Sequence, residues 1–211
     1  MKKDLYVLVA HIDDIELSCW GYINKHANDY DNINLIIASD WERKDKIWRG
    51  NIDLMSSHLK NKEFNYINLK FPQRKLQTNL DDLKDKFYGI INFDQRFDIL
   101  THDDKDCHTD HLAINMIAMG MYKYTNKFIT IYSPSSSKFK TNYWIPLDKD
   151  AWDIKVKMCN KYNIQAEQSY TKLGYYLQSE EHYNIGKTYQ MENFVHNDYE
   201  HYDVYRILKW L

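Results

Sequence analysis

The feature that most restricts the fold of this chain is the run Leu5 to Ala10, where Tyr6, Val7, Leu8 and Val9 follow one another without polar alternation. A run this short and uniformly apolar is a strand covered on both faces, and such strands belong to parallel sheets packed between helices. The signal recurs at Ile33 to Ala38, more weakly at Tyr66 to Leu69, and again at Phe97 to Leu100 and Phe128 to Tyr132. Between these strands lie helical patterns over Glu16 to Asn28, Asp45 to Asn61, Asn79 to Asn92 and Leu112 to Tyr122.

Strands alternating with helices predict an α/β fold, a Rossmann-like three-layer sandwich with a mainly parallel sheet and an elaborated C-terminal third. The break falls at Ser133-Pro134-Ser135-Ser136-Ser137. Beyond it, Asp150 to Asn163 reads as a helix, Tyr189 to Val195 as a strand, and Tyr202 to Leu211 fits either. At 211 residues without an internal repeat, the whole of 1–211 reads as a single domain.

Composition narrows the function by exclusion. A formal net charge of -2 offers no electrostatic footprint for nucleic acid or an anionic membrane, so a small-molecule partner is expected. Cys19, Cys107 and Cys159 are odd in number, widely spaced and without a CxxC pair. They support neither a disulfide framework nor a zinc ribbon, and a reducing, cytoplasmic location fits them. The apolar stretch behind Met1-Lys2-Lys3 is too short for a signal-peptide core or a membrane span. The sequence carries no sign of oligomeric state.

Two clusters of metal-ligand residue types stand out. His11-Ile12-Asp13-Asp14-Ile15-Glu16 directly follows the first strand, and Asp106-Cys107-His108-Thr109-Asp110-His111 lies in the loop after the fourth. In a parallel sheet both positions share the edge formed by the carboxyl ends of the strands. Neutral imidazole and carboxylate suit zinc, and two such clusters can supply three ligands with an open fourth position, as catalytic zinc requires. Plainer roles exist for the same residues. Asp13 and Asp14 suit a helix N-terminus, an effect worth about 0.3–1 kcal/mol. His102, Asp103 and Asp104 read as a solvated loop, Cys107 as a bystander facing away, and Glu16 as support for the first helix. Trp20 and Trp48 read as core, whereas Trp41, in a loop after the second strand, is a candidate sugar-stacking platform.

The segment from His11 to Leu17 resembles the HPDDxE motif, and Asp106-x-His108-x-Asp110-His111 resembles the DxHxDH motif, of the LmbE-like or PIG-L family of zinc-dependent de-N-acetylases. Fainter similarities are the Lys-rich stretch Lys155 to Gln165 and the segment Glu192-Asn193-Phe194. The resemblance implies a Rossmann-like hydrolase that removes the N-acetyl group from an amino sugar or glycoconjugate such as an N-acetylglucosamine derivative. Zn2+ would be held by His11, Asp14 and His111. A water on the metal would be the nucleophile and Asp13 the general base. His108 would stabilise the oxyanion or act as an acid, and Asp110 would orient a neighbouring histidine. Arg49 matches a substrate-contacting arginine. Departures are Ile12 in place of proline, Ser18 and Trp20 in place of small glycines, and Ile52 in place of an acidic residue, all of which bear on the pocket rather than the metal. The alternatives are a zinc hydrolase of another amide or ester and an inactive sugar-binding relative. A nucleotide-binding Rossmann enzyme would need a Gly-rich turn where His11 and the aspartates stand.

Overall fold

The computed structural model describes residues 3–39, 45–133, 135–136, 139–166 and 201–210. Trp41, the expected strand Tyr189 to Val195 and the Glu192-Asn193-Phe194 segment lie outside the described residues. Strands β1 (Asp4–Val9), β2 (Asn32–Ser39), β3 (Asn65–Phe71), β4 (Phe97–His102), β5 (Thr125–Ile131), β6 (Tyr143–Leu147) and β7 (His201–Trp210) form one sheet in the order β3-β2-β1-β4-β5-β7-β6. The first five pair in parallel, and β7 runs antiparallel to both β5 and β6. The helices are α1 (Trp20–His26), α2 (Asp45–His58), α3 (Leu80–Ile90), α4 (Thr109–Gly120) and α5 (Lys149–Ala166). None of the described helices is long and apolar enough to cross a membrane.

The expected three-layer α/β sandwich is what forms, and β1 shows why. Leu5, Val7 and Val9 point into one core with Trp20, Ile23, Trp48, Met55 and Met158 from α1, α2 and α5. Tyr6, Leu8 and Ala10 point into the other with Leu83, Phe87, Ala113 and Ile114 from α3 and α4. Each such side chain contributes about 1.5–3 kcal/mol on burial, so a strand apolar at every position is stable only between two helical layers.

The C-terminal part differs from its sequence pattern. The edge strand β6 contains the exposed Pro146, a residue tolerated at a sheet edge because no neighbour needs its missing N–H. The ambiguous last segment is β7, which fills the place between β5 and β6. The first helix also begins irregularly, as a five-residue π-helical turn, Ile15–Cys19, that runs on into α1. Trp20 is fully buried and its indole N–H donates to the Ala151 carbonyl of α5 at 2.9 Å, so it packs between helices. Trp48 is likewise core, its ring tilted against that of Tyr66 with centroids 3.9 Å apart.

Glu16 ties the π-helical turn to two helices. Its fully buried carboxyl accepts from Asn51 Nδ2 of α2 at 2.7 Å and from the Tyr162 hydroxyl of α5 at 2.8 Å. Burial pushes this carboxyl up to about 7, against the pull of those two hydrogen bonds. We expect Glu16→Ala to lower stability by about 1–3 kcal/mol in urea unfolding, because two buried donors lose their acceptor, while Glu16→Gln stays within about 1 kcal/mol. Equal stability of the two variants would remove the tie from the architecture.

Candidate metal centre

Strand order reverses between β1 and β4, and the carboxyl ends of those two strands open the crevice where α/β sheets bind ligands. The two polar clusters meet there. β1 ends into His11, and the backbone turns at once, with Asp14 N–H donating to the His11 carbonyl and His11 N–H donating to Asp14 Oδ2 at 2.7 Å. Ser39, at the end of β2, holds the preceding Ala10 carbonyl through both its N–H and its hydroxyl. β4 ends at His102, and His111 lies in the first turn of α4.

Three donor atoms converge. His11 Nδ1 is 3.1 Å from His111 Nε2 and 3.5 Å from Asp14 Oδ2, and His111 Nε2 is 3.4 Å from Asp14 Oδ1. Ligand atoms set about 2.0–2.1 Å from a tetrahedral zinc lie about 3.3–3.4 Å from one another; the separations here are of that order, with His11 and His111 each facing a different oxygen of Asp14. Two other trios also bring donor atoms close: His11, His108 and His111, and Asp14, His102 and His111. His102 Nε2 faces both the Ala10 N–H at 3.1 Å and Asp14 Oδ2 at 3.2 Å.

Carboxylates behind the imidazoles set their tautomers. Asp110 Oδ2 stands 3.3 Å from His11 Nε2, so the proton belongs there and the Nδ1 lone pair faces the centre. Asp110 is in turn fixed by the Arg74 N–H at 2.6 Å and the Leu76 N–H at 3.2 Å, from the turn after β3. Asp106 Oδ2 accepts from His111 Nδ1 at 2.8 Å and leaves Nε2 for the centre. His108 is the N-cap of α4, its Nδ1 accepting the Asp110 N–H at 3.2 Å. In the neutral ring the proton then sits on Nε2, available to a ligand.

The buried charges favour positive charge on the histidines of the cluster. Burial pulls the His11 imidazole down, but the hydrogen bond to Asp110 and the charge of Asp14 overcome it and lift the group to about 10. His111 rises to about 9, where burial again opposes and Asp14 and Asp106 prevail. Burial raises the Asp14 carboxyl, yet His111 and His102 hold it well below the ordinary range. His108 is lowered by burial and then by its histidine neighbours, and His102 falls for the same reasons to about 4. Asp14 is buried at the cluster itself, and Asp106 and Asp110 are buried behind His111 and His11, so positive charge on or between these rings offsets the burial of all three.

The structure brings His11, Asp14, His108, Asp110 and His111 together, with Asp13 half-buried in the turn beside Asp14. Arg49 lies on α2 with its side chain exposed. Cys107 is exposed and belongs to neither group of converging donor atoms. The solvated-loop expectation for His102 and Asp103 is corrected: both are fully buried, and only Asp104 is exposed. His102 stacks on His111 with centroids 3.8 Å apart, while Asp103 accepts from Thr130 Oγ1 at 2.5 Å and pairs with Arg206 at 3.3 Å. The signal for His102 was its place as the last residue of a strand buried throughout. Asp106, present in the motif but given no role, proves to be the partner of His111.

Solved structures share this fold. The 4-carboxy-2-hydroxymuconate hydratase GalB of Pseudomonas putida aligns with a TM-score of 0.67 at 14% identity over 98% of this chain and 96% of that one. The N,N'-diacetylchitobiose deacetylase of Pyrococcus horikoshii gives 0.66 at 14% over 98% and 84%, and the A40926 pseudoaglycone deacetylase Dbv21 gives 0.70 at 11% over 100% and 99%. No curated protein matches the sequence. The family model PIG-L, GlcNAc-PI de-N-acetylase, matches residues 6–122, which is more than half of the chain and includes both polar clusters, and the chain belongs to that family.

Proposed function

We propose that the protein is a zinc-dependent hydrolase that removes the N-acetyl group from an amino sugar or glycoconjugate. The observation that carries this reading is the convergence of His11 Nδ1, His111 Nε2 and the Asp14 carboxylate within 3.1–3.5 Å of one another, beside His108, whose Nδ1 is taken up by the Asp110 N–H. Membership in the GlcNAc-PI de-N-acetylase family supports the acetamido substrate, as do the deacetylases of the same fold. A zinc ion in such a site lowers the pKa of a coordinated water to about 7 and polarises a carbonyl oxygen.

The residues of the chain supply the rest. Asp13, next to ligand Asp14, takes the proton of the attacking water as general base and later returns it to the leaving amine. His108 donates Nε2–H to the oxyanion of the tetrahedral intermediate, and its N-cap bond keeps the donor aimed before substrate arrives. Asp110 holds His11 and also presents the N–H that His108 accepts, so one residue sets the orientation of two histidines. Arg49 and Trp41 are the proposed substrate contacts.

The hydratase of the same fold favours a second reading, addition of water to a carbon–carbon double bond at the same centre. Release of acetate from N-acetylglucosamine derivatives distinguishes the two, since hydration releases no fragment.

Three outcomes are expected. Wild-type protein binds one zinc per chain by elemental analysis and His111→Ala loses it; full occupancy in that variant would take His111 out of the ligand set. Asp13→Asn keeps zinc while acetate release falls about 10²-fold or more, the scale of losing a general base. Activity within a few-fold of wild type would move that role elsewhere. His108→Ala keeps zinc and substrate affinity but loses about 10²–10³-fold in kcat, as removal of one oxyanion donor does. A metal-free His108→Ala would instead make that histidine a ligand.

A further inference from the structure

The serine-rich turn after β5 has no part in the mechanism above, yet it lies against the centre. Ser133 is buried, and its hydroxyl donates to Asp106 Oδ2, the same oxygen that accepts from His111 Nδ1 at 2.8 Å. Ser135 Oγ donates to Asp106 Oδ1 at 2.6 Å, alongside the His108 N–H at 2.8 Å. A carboxylate has about four lone-pair sites, and here each oxygen receives two donors, so no rotation of the Asp106 side chain is left unopposed. Backbone contacts hold the turn in place: Cys107 N–H donates to the Ser135 carbonyl at 2.9 Å, Ser136 N–H donates to the Ser133 carbonyl at 2.9 Å, and Asp106 bridges Ser136 in antiparallel fashion.

We propose that Ser133 and Ser135 are positioning residues that act through Asp106 to fix the orientation and tautomer of His111 and thereby set the metal affinity of the centre. The proposal rests on the reading of His111 as a ligand. Without the serine donors, the Asp106 carboxylate is free to turn, and the His111 ring loses the fixed acceptor that commits its proton to Nδ1. The factors of 10–100 in metal affinity that follow the loss of hydrogen-bond partners behind a ligand set the expected scale.

The test uses full-length protein, with zinc affinity measured by chelator competition, the visible spectrum of the cobalt-loaded protein, and the melting temperature of the metal-free protein. Ser133→Thr and Ser133→Val have nearly the same shape and differ in the hydroxyl, so any steric disturbance is shared. Ser133→Val should bind zinc about 10–100-fold more weakly than Ser133→Thr and show an altered cobalt spectrum, both read at a temperature where the two metal-free proteins are folded. Ser135→Ala should weaken zinc several-fold. Equal zinc affinity in the Thr and Val variants overturns the proposal, and so does an unchanged cobalt spectrum in the folded Val variant, which is the mark of a purely structural serine. Failure of wild-type protein to take up zinc or cobalt would overturn the ligand assignment itself, a result distinct from equal binding by the variants.

Discussion

Negative charge confined at one point organises this molecule. Asp14, Asp106 and Asp110 are nearly excluded from water, and burying ionised carboxylates is costly unless donors or cations surround them. Backbone N–H groups of His11, Arg74, Leu76 and His108, hydroxyls of Ser133 and Ser135, and the rings of His11 and His111 all converge on these three groups. These donors come from the turn after β1, the turn after β3, the loop between β4 and α4, and the turn after β5. The parallel sheet is what makes the convergence possible, because every one of those segments leaves the same edge.

This edge also separates stability from chemistry. Below it, the strands bury Leu, Ile, Val and Phe on both faces, and the rigid cores fix where each strand ends. Above it, polar side chains that would be a liability in a core hydrogen-bond to one another. His102 marks the boundary: it is the last residue of a fully buried strand and stacks directly under His111.

How legible each part was in the sequence follows from how local its cause is. β1 was readable because burial on both faces leaves an unbroken apolar run, and the two polar clusters stood out because their histidines and carboxylates are close neighbours in the chain. β6 and β7 were not, since a strand at or near an edge tolerates Pro146 and mixed polarity. The burial of His102 and Asp103 was missed because polar residues beside Asp104 look like a loop, while the fold carries β4 two residues past Leu100. His108 as a helix cap escaped notice because caps are usually Ser, Thr, Asp or Asn. The serine turn's grip on Asp106 joins residues remote in sequence, which no local pattern encodes.

The placement of β7 has a consequence for the order of assembly. It enters the sheet between β5 and β6, so Ile131 must find Tyr205 and Leu147 must find His201 across long intervening segments. Closing loops of that length is entropically unfavourable and slows folding relative to the neighbouring parallel βα units. Arg206, which pairs with Asp103 at the root of the loop bearing Asp106, His108 and His111, arrives only with β7. The sheet can therefore bring the two motifs to one edge early, while the brace on the second motif waits for the last-paired strand.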